Sequence, residues 1–244
     1  LTTKTLAVVI MTMTIIQMFK NCFLVFALVF LGVASPCQGK MFGLFYGCNG
    51  DDLNYAENDV KALADLYRKN NGNVILIRGD MASRKIVTDY LTKQSKACSE
   101  DDIFIFAYSG HGCKNCISTC DGFLNFVTIK NIVKKHCKAK RKVFILDSCF
   151  SGNFANVSIL GNEGTTLVIT SARKNEMSFE GGFEEHGELT QKIIEAFSGK
   201  ADYDKDKRIT VKELYRYCQS GSMLSHVTMK GRFNDSMLLY TIKK

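Results

Sequence analysis

Short apolar runs alternate with amphipathic segments along most of this chain. The runs at residues 103–108 and 143–146 are almost wholly apolar, and each ends in a stretch of small residues. Such runs are typical of strands buried on both faces of a parallel sheet. After Ala56, apolar residues recur every three or four positions through Lys69, which predicts a helix.

The same pattern predicts the other elements. Ser83 and Thr128 are expected to cap two further helices. Other helices are expected at residues 189–197 and 211–218, a hairpin near 123–127, and strands at residues 41–46, 74–77, 166–170 and 237–242. Strands that alternate with helices indicate parallel pairing with helices on both faces. The predicted fold class is α/β, a three-layer α/β/α domain with a mainly parallel six-stranded sheet.

Composition favours one globular domain with a sizeable core, since 46% of the 244 residues are apolar and 23% are charged. The net charge of +8 modestly favours acidic partners and says little else about function.

The first 39 residues are predicted to be a signal peptide or upstream segment, and residues 40–244 the folded domain. An apolar run at 22–34 follows Lys20 and ends at Ser35 and Pro36, a pattern typical of secretory signals. The run is shorter than the roughly 20 residues that span a membrane. We therefore expect export, secreted or periplasmic, with membrane contact only through the signal. An uncleaved anchor that also uses residues 6–16 is the alternative.

Export agrees with the use of cysteine, of which the chain has 10. Cys113, Cys116 and Cys120 lie within eight residues of one another. Disulfides or unpaired thiols are expected there, because a zinc site would need a fourth ligand that is not evident nearby.

Two motifs carry the chemistry. Ser109-Gly110-His111-Gly112 follows one buried strand, and the segment from Asp147 to Gly152, Asp-Ser-Cys-Phe-Ser-Gly, follows another. Parallel sheets bind ligands at the carboxyl ends of their strands. An imidazole and a thiol at one such edge can form a nucleophile with its general base.

On these motifs the chain resembles caspase-like cysteine peptidases of the metacaspase and orthocaspase branch, which have the caspase–hemoglobinase fold. Residues 57–59 and 209–215 support the resemblance, which covers the chain from Met41 onward. It implies that Cys149 is the nucleophile and His111 the base, with the backbone N–H groups of Gly112 and Cys149 stabilising the oxyanion. No cofactor is required for this chemistry.

The resemblance also implies a pocket for Arg or Lys at P1, the residue before the cleaved bond. Asp59, Ser109 and Asp147 would line it, so the expected partners are proteins or peptides with Arg or Lys at P1. The helical spacing puts Asp59 on or beside the buried face. The alternative is an acid in the first turn that interacts with the helix dipole. Ala56 departs from the pattern, since several relatives have a cysteine that lines this pocket, and the change is expected to tune the pocket without abolishing it.

The other histidines, His136, His186 and His226, are expected at the surface. The basic run at 134–142 is interpreted as a solvated helix end, so no nucleic-acid partner is expected. Because the sequence has no Lys or Arg between Gly152 and Ala172, the enzyme is expected to work as one uncut chain.

A calcium site is a further hypothesis. Asp202, Asp204, Asp206 and Glu213 have the spacing of an EF-hand loop, but Lys207 stands where that loop normally has glycine. The alternative is an acidic turn followed by a capping box of Thr210 and Glu213.

Three functions therefore stay open. The first is a cysteine endopeptidase with a His-Cys dyad, the second an inactive binding or scaffold protein on the same fold, and the third a metal-stabilised structural module.

Overall fold

The central sheet has six strands in the part of the chain that the computed structural model describes, residues 39–160, 163–181, 185–221 and 223–243. Along the chain these strands are β1 Met41–Cys48, β2 Asn73–Arg78, β3 Ile103–Gly110, β7 Arg141–Asp147, β8 Thr165–Thr170 and β10 Thr228–Arg232. Their order across the sheet is β2-β1-β3-β7-β8-β10. All neighbouring pairs are parallel except β8 and β10, so the prediction of a mainly parallel sheet is confirmed.

Five α-helices flank this sheet among the described residues. They are α1 Ala56–Lys69, α2 Arg84–Ala97, α3 Phe126–His136, α4 Glu188–Glu195 and α5 Val211–Cys218. The predicted cap of α2 is confirmed, since the Ser83 side chain accepts the N–H of Ile86 at 3.3 Å. The predicted cap of α3 is wrong: this helix begins at Phe126, so Thr128 lies inside its first turn.

Alternate residues of the strands point to opposite faces of the sheet and build two apolar cores. On one face Phe45 and Ile145 pack with α1, α4 and α5. On the other face Tyr46 and Phe144 pack with α2 and α3. This is the expected three-layer α/β/α arrangement, and it leaves the carboxyl ends of the parallel strands along one edge.

The sixth strand is not the predicted one. The segment at 237–242 contains β11, Leu238–Thr241, which pairs with β9, Arg208–Thr210, in a separate two-stranded sheet. The edge position belongs to β10, which is antiparallel to β8. Its sequence, Thr-Met-Lys-Gly-Arg, has no apolar run because an edge strand is partly exposed to solvent.

The hairpin predicted near 123–127 lies earlier in the chain, between β5 Cys116–Thr119 and β6 Gly122–Asn125, which form a small three-stranded sheet with β4 Gly112–Cys113. Residues 126 and 127 begin α3 instead. A disulfide joins Cys113 to Cys116 across β4 and β5. The predicted signal segment lies outside the described residues. Within those residues, no helix is both long and apolar enough to cross a membrane.

Candidate active site

The candidate site lies at the carboxyl edge of β1, β3 and β7. The parallel register aligns Ser109 of β3 with Gly47 of β1 on one side and with Asp147 of β7 on the other. The loops that leave these strands therefore start next to one another. One cleft is lined by five of the residues predicted from the sequence, Asp59, Ser109, His111, Asp147 and Cys149.

Hydrogen bonds to the backbone fix the position of His111. Its carbonyl accepts from the Tyr108 hydroxyl at 2.7 Å and from the Ser118 N–H at 3.0 Å. Its imidazole Nε2 lies 2.6 Å from Oδ1 of Asp52, in the loop that follows β1. The His111 side chain is 39% exposed and that of Asp52 is 77% exposed. The Asp52 contact leaves Nδ1 as the other ring nitrogen able to exchange a proton.

Cys149 lies in the first turn after β7. The next residue, Phe150, has a left-handed backbone with φ of 57°, which turns the chain sharply away from the strand. The sulfur of Cys149 accepts the N–H of Ser178 at 3.4 Å and lies 3.7 Å from the Ser178 carbonyl oxygen. Both contacts tie the Cys149 side chain to the Ser178 backbone.

The two motif loops touch each other through Gly112. A Cβ atom at this position would collide with the carbonyl oxygen of Cys149 and approach the side chain of Ser148. Glycine is therefore needed for the close approach of the loops.

Two carboxylates are buried at the bottom of the cleft. Asp59 is 1% exposed, and its Oδ2 accepts from the Ser109 hydroxyl at 2.7 Å. Asp147 is 5% exposed and accepts from the N–H and hydroxyl of Thr190, at 3.0 and 2.9 Å, and from the Ser178 hydroxyl at 3.2 Å. Burial, together with the nearby charge of Asp59, raises the pKa of Asp147 to about 7.

The contact with Ser109 decides the role of Asp59 within the fold. Asp59 reaches across 50 residues of sequence to β3. It therefore faces the cleft, as its helical spacing indicated, and is more than an acid in the first turn of α1.

A model of the caspase domain matches residues 43–223. The chain belongs to the caspase-domain family. This family is cysteine-peptidase-like, and its members are expected to act on proteins. The match includes both motifs and all elements that carry the cleft.

Among solved structures, this caspase domain is similar to the crystal structure of protein GSU0716 from Geobacter sulfurreducens. The two chains are 17% identical, the alignment covers 84% of this chain and 100% of the other, and the TM-score is 0.65. At that identity the likeness shows the fold alone. No curated protein matches the chain.

Sequence reasoning missed four residues whose side chains contact the predicted site residues of this caspase domain. Asp52 was within reach of prediction, because it follows β1 at the same edge of the sheet as His111. Thr190 supports Asp147 from the first turn of α4, a predicted helix, and Ser178 supports it from a segment without a recognisable pattern. The expectation for His186 is wrong: its side chain is 20% exposed and bonds Asp59, because the chain before α4 folds back over α1.

The aspartate loop lies in a separate part of the caspase domain. Carboxylate oxygens of Asp202, Asp204 and Asp206 lie within 4.8 Å of one another, and the fourth predicted ligand, Glu213, is not among them. Both Glu213 oxygens instead accept hydrogen bonds, from the N–H of Tyr203 and from Thr210. The alternative prediction, a capping box at the start of α5, is confirmed.

The basic run is mostly solvated around the end of α3, as interpreted from the sequence. Lys134, Lys135, Lys138 and Lys140 are exposed. Lys142 is the exception, since it is buried and donates to the Ala139 carbonyl.

Proposed function

We propose that this protein is a cysteine endopeptidase that uses His111 and Cys149 and cleaves peptide bonds after Arg or Lys. One observation carries the proposal: a thiol, an imidazole and two buried carboxylates line a single cleft at the carboxyl edge of the sheet. Membership in the caspase-domain family supports a cysteine peptidase as the reaction class.

In the first half of the reaction, His111 takes the proton of the Cys149 thiol, and the sulfur attacks the substrate carbonyl carbon. A C–S bond forms, and the carbonyl oxygen becomes an oxyanion that the N–H groups of Gly112 and Cys149 would stabilise. Collapse of this intermediate breaks the C–N bond. The leaving amine takes a proton from the imidazolium of His111, and an acyl-enzyme remains.

In the second half, water hydrolyses the acyl-enzyme. His111 takes a proton from the water as the oxygen attacks the acyl carbon. The C–S bond then breaks, which releases the carboxylic acid product and regenerates the sulfur nucleophile. Protons and electrons balance without a cofactor.

The preference for Arg or Lys is supported by the acid pair of Asp59 and Asp147. A buried carboxylate is costly unless a cation or several donors accompany it. A basic P1 side chain would supply the cation, and arginine could bind a carboxylate with two parallel hydrogen bonds. An acidic P1 side chain would face two carboxylates and be excluded.

Three fluorogenic peptides that differ only at P1 test this proposal. We expect cleavage of the Arg and Lys peptides and none of the Asp peptide. Cys149→Ala and His111→Ala should each abolish cleavage, whereas substitution of the exposed Cys120 by Ser should leave the rate unchanged.

Other outcomes select other functions. If the unmodified chain cleaves none of the peptides yet binds the Arg peptide, the protein is an inactive binding module on the caspase fold. Cleavage after Asp would retain the peptidase and reject the basic specificity.

We also propose that the protein is exported, and that the loop of Asp202, Asp204 and Asp206 holds a calcium ion. The Cys113–Cys116 disulfide supports an oxidising compartment. Three clustered carboxylates suit calcium, which prefers oxygen ligands, and Oδ1 of Asp202 is buried without a hydrogen-bond partner among the described residues. Sequencing the amino terminus of the mature protein tests export, and cleavage within residues 34–39 is expected.

A further inference from the structure

His186 contacts Asp59, one of the two buried acids of the candidate active site. Its Nδ1 lies 2.8 Å from Oδ1 of Asp59, which is 1% exposed. The imidazole is itself 20% exposed, so the contact is mostly shielded from water. A hydrogen bond shielded in this way is stronger than one fully exposed to water.

The neighbouring backbone holds His186 in place. The N–H of Gly187 donates to both oxygens of Asp59, at 3.1 and 3.2 Å, and the His186 carbonyl accepts from the N–H of Gly181 at 2.7 Å. A Cβ atom on Gly187 would lie 2.5 Å from Oδ2 of Asp147. The segment therefore packs directly against both carboxylates.

As a result, the positions that a basic P1 side chain needs are occupied. Oδ1 of Asp59 accepts from His186 and Gly187, and Oδ2 accepts from Ser109 and Gly187. The cleft has a volume of about 40 Å³. That is room for a few water molecules, far below the usual size of a ligand pocket.

We propose that His186 is a specificity-determining residue that competes with the P1 side chain for Asp59. A basic P1 residue must displace the imidazole and takes over its carboxylate. A neutral P1 residue cannot replace that contact, so it leaves the imidazole in place on Asp59. The inference rests on the proposed function, because it assumes that P1 binds at the acid pair.

Removal of the imidazole should therefore tighten the binding of basic substrates. In a Cys149→Ala background, which cannot cleave, we expect His186→Ala to increase the affinity for an Arg peptide about tenfold. The affinity for the matching Leu peptide should change by less than about twofold. Calorimetric titration of the full chain measures both.

In the cleaving enzyme, the same substitution should lower KM for the Arg peptide by a similar factor and leave kcat nearly constant. A purely structural role for His186 predicts the opposite, a lower melting temperature with weaker binding. The matched control is His226→Ala, which removes a histidine that pairs with Glu176 outside the cleft. It should leave the affinity unchanged.

Unchanged or weaker binding of the Arg peptide by a folded His186→Ala variant would overturn the proposal. If that variant does not fold, NMR of the Cys149→Ala chain decides the matter: the His186 ring resonances should move when the Arg peptide binds, and constant resonances at saturation reject displacement.

The proposed function can be separated from this inference. Equal binding of the Arg peptide with and without His186 rejects only the competition. If neither form prefers Arg or Lys over Leu, the basic specificity itself fails.

Discussion

Among the single residues, Asp52 is the carboxylate that contacts His111 of the candidate dyad. Its carboxylate holds Nε2 of His111 at 2.6 Å and so determines which ring nitrogen can face the thiol. In the proposed reaction, a carboxylate in this position would also stabilise the imidazolium of His111 before it protonates the leaving amine. Because Asp52 is 77% exposed, water weakens its contribution.

We predict that Asp52→Ala lowers kcat/KM for an Arg peptide by about fivefold, the upper range for an exposed ion pair. Steady-state kinetics with the fluorogenic peptide measure the effect. Asp51→Ala, at the neighbouring exposed carboxylate, is the control and should retain full activity. Equal rates for the two variants would show that Asp52 does not position His111.

Asp147 gives a prediction about pH and stability. Its pKa in the folded protein is about 7, against 3.8 for an ordinary aspartate, because it is buried beside Asp59. Between pH 4 and 7 the folded state therefore holds a proton that the unfolded state has lost. The free energy of unfolding falls as pH rises through this interval.

We expect Asp147→Asn, which carries no charge, to escape this loss. The melting temperature of the variant minus that of the unmodified chain should be about 5 °C more positive at pH 8 than at pH 5. Thermal unfolding followed by circular dichroism at both pH values measures the difference. The exposed Asp235→Asn is the control, and a difference that stays constant with pH in the Asp147 variant would contradict the buried charge.

These residues mark the limit of sequence reasoning about the site. His111, Cys149 and Asp147 adjoin buried strands in recognisable motifs, so the parallel sheet alone brings them to one edge. His186 and Ser178 reach the cleft through irregular segments. Their positions depend on tertiary packing, which no local pattern encodes.

At the scale of elements, helix starts show why a capping residue must be judged with its surroundings. Thr210 at the start of α5 and Thr128 in α3 are both threonines before apolar helical residues. Only Thr210 has Glu213 three positions later, which completes reciprocal hydrogen bonds with the cap. For α3, Asn125 takes the cap position and the helix begins at Phe126, which is buried.

The two threonines form a matched test. Thr210→Ala should reduce the free energy of unfolding by about 1 kcal/mol, since it removes the cap of α5. Thr128→Ala should change it by less than about 0.5 kcal/mol, because this side chain is exposed and not a cap. Urea unfolding measures both, and equal losses would contradict the assigned helix starts.

The aspartate loop before α5 predicts a response to calcium. Ca²⁺ at millimolar concentration should raise the melting temperature of the unmodified chain by a few degrees, because binding stabilises the folded state. Asp204→Asn combined with Asp206→Asn should abolish the rise. Mg²⁺ at equal concentration is the control. If neither ion changes the melting temperature, this loop has no calcium site.

At the scale of the whole molecule, the layers follow directly from hydrophobic periodicity. Buried parallel strands appear in the sequence as apolar runs, and helices as apolar residues every three or four positions. Five of the six sheet strands were therefore predictable. The edge strand β10 was not, because strand 228–232 contains Lys230, Gly231 and Arg232. The apolar segment at 237–242 resembled a core strand more closely and forms the small sheet with β9 instead.

Packing of the segment after the nucleophile bears on how the whole chain is activated. Ser151, Gly152 and Phe154 are buried, and Lys130 of α3 donates to the carbonyl of Asn156. This segment is thus tied to the core on the side of α3. Cutting it would expose apolar surface at a site that contributes the nucleophile, so cleavage there is a costly route to activation.

We therefore predict that the active enzyme keeps residues 150–172 intact. A protein labelled at Cys149 with an electrophilic arginyl probe should run as one band in a denaturing, reducing gel. The nearest basic residues, Arg173 and Lys174, are exposed, so a variant with glutamine at both positions is the informative control. It should label as fast as the unmodified chain. Two fragments separated by a cut near residue 160, or slow labelling of the glutamine variant, would mean that activation requires a cut.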